Sequence, residues 1–233
     1  MRTVMISAQL PRQGAEAPVI AYPEKRSTEI PSVEVTAPGD ENNTTPANGK
    51  SRFLVASPYT EQEHLLDLDS LDAENVLLAE ALALMKNVRL DYATASYIES
   101  FNWDEIMEEL ARLALQRVHR WRETSFFIVA FRSKIPPTTA YEDLGVLDKA
   151  AHAEATASGG FLKYWFGSPD NEGRNLATCV WRSLKDAKAG NVGPAHRRAA
   201  GATREMYTHW KIDRYRLTIR DELRSWELVD WTD

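Results

Sequence analysis

The sequence predicts an α+β fold: a four-stranded antiparallel sheet, preceded by a helical extension and a disordered tail. Three observations support this prediction. The first 50 of the 233 residues hold six of the 11 prolines and one aromatic residue, Tyr22. Residues 61–122 show apolar residues at helical spacing, and from residue 124 short β-rich segments alternate with helical ones. We therefore expect a disordered tail at 1–60, an acidic helical extension at 61–122 and an α+β domain at 123–233.

The tail has too few apolar residues to offset the entropy lost when it orders. It lacks the basic start and apolar core of a secretory signal, and its prolines argue against the amphipathic helix of a mitochondrial presequence. No apolar run in the chain approaches the ~20 residues of a membrane span. We therefore expect a cytoplasmic protein, with a nuclear location as the alternative, and no membrane partner.

The formal net charge of −6 argues against a nucleic-acid partner, because neutralising phosphates requires a positive surface. The charge is unevenly distributed: residues 61–109 hold 13 acids and two bases, whereas residues 110–220 hold 19 bases and 10 acids. One interpretation is solvated helix faces. The other is an acidic layer that docks on a basic domain of the same chain and loosens at high salt.

The extension is predicted to begin with a helix over residues 63–90, followed by a loop. Asn102 and Glu105 have the spacing of a reciprocal cap that begins a second helix. Apolar residues at helical spacing extend this second helix over 103–121, with Trp103 and Trp121 at its ends. The extension is therefore expected to be almost entirely helical.

The α+β domain is predicted to begin with a buried strand at 125–132, apolar on both faces. The remaining elements follow in order: a helix at 140–158, strands at 161–166 and 175–181, a short helix capped by Ser183 and Asp186, a helix begun by Pro194, and a strand at 212–219. The order β-α-β-β-α-β is that of the ferredoxin-like fold, whose helices cover one face of the sheet. The other face needs a cover, either a second copy of the chain in a homodimer or the helices at 63–121.

Five segments of the chain resemble a family of uncharacterised fungal proteins. They are YIESFNWDE (97–105), SFFIVAFRS (125–133), SGGFLKYWFG (158–167), NLATCVWRS (175–183) and GPAHRRAA (193–200). The resemblance covers roughly residues 63–220. It implies membership of the family but brings no established activity with it.

A more distant resemblance is to the antibiotic-biosynthesis-monooxygenase superfamily, the dimeric α+β barrels. It rests on Trp181-Arg182-Ser183 at the end of the third strand and on Pro194-Ala195-His196 at the start of the last helix. The resemblance implies a pocket between sheet and helices or at a dimer interface. Members of the superfamily include cofactor-free oxygenases, cyclases, haem-degrading enzymes and proteins without known catalysis, so it selects no reaction.

Two histidines are candidate catalytic residues. His196 lies on the inward stripe of the last helix, where a neutral imidazole can act as a general base. His152 lies at the margin of the apolar face of the preceding long helix. For both, the alternative is a packing histidine at a helix end or boundary. The other three histidines (His64, His119 and His209) fall on faces that look polar and receive no role.

Four residues are candidates for substrate binding: Tyr164 and Trp165 on the second strand, and Trp181 and Arg182 on the third. Neighbours on a strand point to opposite faces, so each pair places one side chain on each face. Aromatic walls with one guanidinium would suit a planar, polyoxygenated or carboxylated ligand. The alternative is ordinary packing of the sheet.

No metal site or cofactor is expected. The single cysteine, Cys179, excludes both a disulfide framework and a CxxC zinc site, and the sequence holds no HxxxH pair, P-loop or dinucleotide-binding fingerprint. Cys179 itself is expected to be an inert buried thiol.

Two functions remain open. One is a cofactor-independent oxygenase, cyclase or isomerase of secondary metabolism, acting on a small aromatic or polyketide-like molecule. The other is a non-catalytic binding or scaffold protein whose helical extension fills the pocket with Trp103 or Trp121. An open cavity that touches both His196 and an aromatic residue of the second strand would favour the first.

Overall fold

The computed structural model describes residues 52–139 and 141–232, and these residues contain seven strands and six α-helices. In chain order they are β1 (Phe53–Leu54), β2 (Leu66–Asp67), α1 (Ala73–Ala81), α2 (Tyr97–Ser100), α3 (Trp103–Gln116), β3 (Thr124–Lys134), α4 (Tyr141–Ser158), β4 (Phe161–Phe166), β5 (Arg174–Trp181), α5 (Leu184–Gly190), α6 (Pro194–Met206), β6 (His209–Ile219) and β7 (Trp226–Asp230). The disordered tail expected at 1–60 lies outside the described residues up to position 51. Residues 52–60 hold β1 and the buried residues Ala56 and Ser57.

The main sheet is antiparallel and has the strand order β4-β5-β3-β6-β7. Strands β3 to β6 and the helices between them follow the predicted β-α-β-β-α-β order, so the ferredoxin-like arrangement is confirmed. Strand β7 was not predicted, and it adds a fifth strand beyond β6. Two local predictions also hold: the Ser183 side chain accepts a hydrogen bond from the Asp186 amide at 3.1 Å, and Pro194 stands in the first turn of α6.

The two registers of β3 supply two separate cores. Phe126, Ile128 and Ala130 pack with α1 and α3 in one core, which also buries Trp103 and Trp121. Phe127 and Val129 pack in the other core, with residues of α4 and α5. The second face of the sheet is therefore covered by the chain's own N-terminal helices, one of the two covers that the sequence left open.

The helical extension contains less helix than predicted. Helix α1 covers Ala73–Ala81 only, because the Asp72 side chain accepts a hydrogen bond from the Asn75 amide and caps the helix there. The rest of the predicted helix holds strand β2, irregular segments and short 3-10 turns at Gln62–His64, Leu68–Ser70 and Leu82–Leu84. Tertiary packing rather than helix periodicity organises this segment.

The second helix also differs from the prediction at both ends. The Asn102 side chain does not cap α3; it accepts a hydrogen bond from the Lys86 amide at 2.9 Å and donates to the Leu84 carbonyl at 3.1 Å. It thereby ties α3 to the preceding loop. Helix α3 ends at Gln116, because Val118 has a left-handed backbone conformation with φ of 52°. Trp121 is therefore buried from a segment beyond the end of the helix, not from the helix itself.

The acids of the extension pair mainly with bases that belong to the extension itself, such as Lys86 with Glu105 at 2.9 Å. The pair of Glu61 with Lys149 reaches α4. Arg132 makes a different contact between the sheet and the extension, donating hydrogen bonds to the carbonyls of Ala93 at 2.6 Å and Ala95 at 2.8 Å. Apolar area and these hydrogen bonds hold the extension on the sheet, and the loosening at high salt stays a prediction. Of the helices in the described ranges, none has the length and apolar character to cross a membrane.

Candidate functional site

A cavity of about 460 Å³ lies between the sheet and helices α4 and α6. Large side chains of β3, β4 and β5 form its floor, including Phe131 and Tyr164. The helices face it largely with small residues (Ala151, Ala155, Ala199, Ala200 and Ala202), which leave room between helix and sheet. The cavity touches both His196 and Tyr164, an aromatic residue of the second strand of the α+β domain.

A carboxyl group, that of Asp148, lies at the centre of the polar part of this cavity. It projects from α4, and each of its oxygens accepts a hydrogen bond from a tyrosine: Oδ2 from Tyr59 and Oδ1 from Tyr164, both at 2.5 Å. Burial raises the pKa of Asp148 above its usual range, although the two tyrosine hydroxyls and the nearby His196 and His64 oppose this rise. Each oxygen keeps a second lone pair that can meet a ligand.

His152 lies one helical turn after Asp148 and is buried with His64. The Nδ1 atoms of the two rings are 2.8 Å apart, so one Nδ1 carries the hydrogen and the other accepts it. Burial lowers the pKa of His152 to about 3, and the charges of His64 and His196 act in the same direction. His152 is therefore a neutral imidazole at neutral pH. Its Nε2 has no hydrogen-bond partner within the described part of the chain.

His64 was expected on a polar face, and this expectation was wrong: it is 2 % exposed. Two contacts of its own segment explain the burial. The Tyr59 hydroxyl binds Asp148, and Glu61 pairs with Lys149 of the same helix. Together they hold residues 59–64 against α4, which brings the His64 ring to 4.9 Å from the His152 ring, measured between centroids.

His196 stands at the start of α6 and is oriented by Glu154 of α4. The Glu154 carboxylate accepts hydrogen bonds from the amides of Ala195 and His196, each at 2.9 Å, and lies 3.1 Å from His196 Nδ1. The same amide hydrogen bonds lower the pKa of Glu154. Gly193 makes this approach possible, because a Cβ atom there would come within 2.1 Å of Glu154 Cδ. Glu154 thus caps the helix and fixes the imidazole together.

The four predicted binding residues separate into two groups. Tyr164 and Trp181 line the cavity. Trp165 points to the opposite face of the sheet, where its ring lies 4.9 Å from the Phe101 ring and 5.4 Å from the Tyr92 ring. Arg182, beyond the end of β5, makes two hydrogen bonds to Asp186 at 2.8 Å and 3.0 Å. Trp165 and Arg182 are absent from the cavity lining, so the guanidinium expected for ligand binding does not lie there.

Sequence reasoning missed Asp148, Tyr59, His64 and Glu154. Asp148 carried a usable signal, since it lies four residues before His152 and so on the same side of the helix. Tyr59 carried none, because it lies where the sequence resembles the end of a tail. His64 carried none, because its acidic and polar neighbours made its segment look solvent-exposed. The cavity-lining Cys179 is a neutral thiol, because burial raises its pKa.

No metal site is apparent at these residues. Across positions 52–139 and 141–232, no cluster of three or more His, Cys, Asp or Glu side chains is placed to hold a metal ion. Around Asp148, the cavity is lined by the imidazoles of His152 and His196 and the phenols of Tyr59 and Tyr164, and His64 and Glu154 hold the two imidazoles from behind.

The chain is similar to several known proteins. The family model described as PB2B2.08-like matches residues 55–230. The UPF0643 protein PB2B2.08 of Schizosaccharomyces pombe is 38% identical over 193 residues, which cover 79% of this chain and 86% of that protein.

Solved structures show a weaker similarity. Rv0793 from Mycobacterium tuberculosis is 18% identical with a TM-score of 0.35, covering 38% of this chain and 91% of that chain. SnoaB, a cofactor-independent oxygenase from Streptomyces nogalater, is 14% identical with a TM-score of 0.33, covering 39% and 90%. A protein from Nitrosomonas europaea assigned to the antibiotic biosynthesis monooxygenases is 12% identical with a TM-score of 0.35, covering 38% and 95%. The family match decides the relationship: the chain belongs to the PB2B2.08-like family.

Proposed function

We propose that this chain is an enzyme that moves a proton on a small molecule bound between the sheet and helices α4 and α6, with no cofactor. The observation that carries the proposal is the Asp148 carboxyl, which borders a largely apolar cavity and holds a tyrosine hydroxyl on each oxygen. A carboxyl whose pKa is raised by burial is a stronger base than an exposed one and can take a proton from a substrate and return it.

The residues of the site divide the work as follows. Asp148 is the general base, and Tyr59 and Tyr164 hold it in place and share its charge. His196, oriented by Glu154, is the second proton carrier and serves the oxygen of the substrate. His152 is neutral and binds the substrate or packs beside it, with its tautomer set by His64.

Proton removal next to a carbonyl is the first step of three reaction classes. In an isomerase the proton returns at another atom, and in a cyclase the resulting carbanion attacks a second carbonyl of the same molecule. In a cofactor-independent oxygenase the electron-rich anion reduces O₂ directly. The cavity supports all three, and a role in secondary metabolism, a homodimer and a cytoplasmic location stay predictions beside it.

The alternative is a protein that binds a ligand without turning it over. Its original form, in which the helical extension fills the pocket, finds no support, because Trp103 and Trp121 lie in the core on the opposite face of the sheet. A binding protein remains distinguishable by experiment, since it would hold a ligand in the cavity and catalyse no proton transfer.

The test is deuterium exchange of a simple aryl ketone. The methyl hydrogens of 2-acetonaphthone exchange slowly with D₂O at neutral pH, and proton NMR follows the rate. We expect the protein to accelerate this exchange, and Asp148→Asn to lose about 10²-fold or more of the acceleration, because the amide cannot accept the proton.

Asp143→Asn is the matched control, since Asp143 is exposed on the same helix and does not line the cavity. It should keep the full rate. His196→Ala should lower the rate with little change in melting temperature. Exchange no faster than in buffer, or an Asp148→Asn rate equal to that of the unaltered protein, would contradict the proposal.

A further inference from the structure

The described side chains that line the cavity include a carboxyl group but no lysine or arginine. Among the lining residues whose side chains the structure describes, the ionisable groups are Asp148, His152, His196, two tyrosines that bind Asp148, Cys179 and Tyr207; none is a lysine or an arginine. An anion that enters would meet a carboxyl and no fixed cation. Transfer of an unpaired anion from water into such a site is strongly unfavourable.

Three of the bases next to lining residues in the chain are engaged elsewhere. Lys149, which follows Asp148, pairs with Glu61. Arg182, which follows Trp181, pairs with Asp186, and Arg197, which follows His196, donates to the carbonyl of Val192. Each of the three would have to give up a partner in order to serve an anionic ligand.

Most of the remaining lining is apolar or aromatic, with a few uncharged polar residues (Ser133, Asn175, Asn191 and Thr203) among it. At the end formed by β3 and β6, the Phe131 and Trp210 rings stack with centroids 5.5 Å apart, and the Tyr207 ring lies 5.0 Å from Trp210. Aromatic walls of this kind accept flat, apolar groups. The two tyrosines, His152 and His196 lie close to Asp148, so a ligand oxygen placed there meets most of the ionisable groups of the cavity.

We propose that the cavity selects an uncharged, largely apolar molecule that presents one carbonyl or hydroxyl group to Asp148, and that Asp148 makes it discriminate against carboxylates. This inference shares its cavity with the proposed function but requires binding only, with no proton transfer.

The experiment compares two isosteric probes by isothermal titration calorimetry at pH 7.5. The ketone 2-acetonaphthone and the anion 2-naphthoate have the same planar ring system. The carbonyl carbon bears a methyl group in the ketone and a charged oxygen in the anion. We expect the ketone to bind at least tenfold more tightly. Binding of the ketone without catalysed deuterium exchange would leave this inference standing and remove the proposed function.

Three variants test the origin of the preference. Asp148→Asn should reduce the ratio of the two affinities severalfold, because the carboxylate that repels 2-naphthoate is gone. Asp143→Asn should leave this ratio unchanged. Ala199→Phe, which fills the cavity from α6, should abolish binding of the ketone. The inference is overturned if 2-naphthoate binds as tightly as the ketone, if neither probe binds, or if Asp148→Asn keeps the full ratio of the two affinities.

Discussion

The two faces of the sheet receive alternate side chains of the same strands, yet they are filled in opposite ways. On the α1–α3 face, large side chains pack into a core: Trp121 and Tyr97 are both 2 % exposed, and the Tyr97 hydroxyl is paired with Thr178 at 2.8 Å. On the α4–α6 face, alanines leave a cavity that holds the carboxyl and both imidazoles of the site. The first face therefore contributes mainly to stability. The second face is less densely packed, and the space that remains can hold a small molecule.

The sharpest contrast between the faces should appear in stability. Trp121→Ala removes a buried indole and its hydrogen bond to the Ile219 carbonyl, so we expect the free energy of unfolding to fall by about 3–5 kcal/mol. Met206→Ala removes a side chain that borders the cavity, and we expect a loss below about 1 kcal/mol. Urea unfolding measures both, and equal losses would break the comparison.

The second contrast is in the response to acid. The unfolded chain protonates His152 near pH 6.5, whereas the folded chain resists until about pH 3. The unfolded state thus binds the extra proton in this window, and stability falls as the pH is lowered, by at most about 1.4 kcal/mol per pH unit. His152→Gln should remove this contribution, so urea midpoints of variant and unaltered protein should converge or cross as the pH falls from 6.5 to 3.

Asp148 acts with the opposite sign on the same face. Its pKa is raised in the folded state, so its contribution to stability is present at low pH and is lost as the pH rises through the raised pKa. The His152 prediction would be contradicted if the difference in unfolding free energy between His152→Gln and the unaltered protein did not change between pH 6.5 and pH 3.

The smallest expected effect separates two glycines of the same region. Gly193→Ala should push Glu154 away from the start of α6, costing about 1 kcal/mol of stability and slowing the exchange that depends on His196. Gly201→Ala, within α6 and with open space around its Cβ position, should raise stability by up to about 1 kcal/mol. Thermal unfolding and the ketone exchange assay report the two effects, and changes of the same sign would contradict the role of Glu154.

Local signals in the sequence predicted the sheet and much of its surroundings. The double apolar register of β3 indicated a sheet covered on both faces, and Ser183 and Pro194 marked helix starts that the structure confirms. Asn102 shows where such signals fail. Its side chain does donate to Glu105, at 2.9 Å, but its oxygen accepts from the Lys86 amide, 16 residues earlier in the chain, and so caps no amide of α3.

The site was less predictable than the fold, because its key contacts join distant parts of the sequence. The acidic and polar neighbours of His64 made its segment look solvent-exposed, and only contact with α4 buries it. Arg182 looked available for a ligand, but its guanidinium is hydrogen-bonded to Asp186 in the first turn of α5. Pattern reasoning found one end of each interaction and could not supply the other.

The segment that carries Tyr59 and His64 also fixes when the site is completed during protein synthesis. Its bonds to Asp148 and His152 span 89 and 88 residues, so both partners leave the ribosome long after the segment itself. His196 and the α6 wall follow later still. The nascent chain therefore carries two unsatisfied aromatic groups while at least 88 further residues are added, and closure of the cavity waits until almost the whole domain has been made.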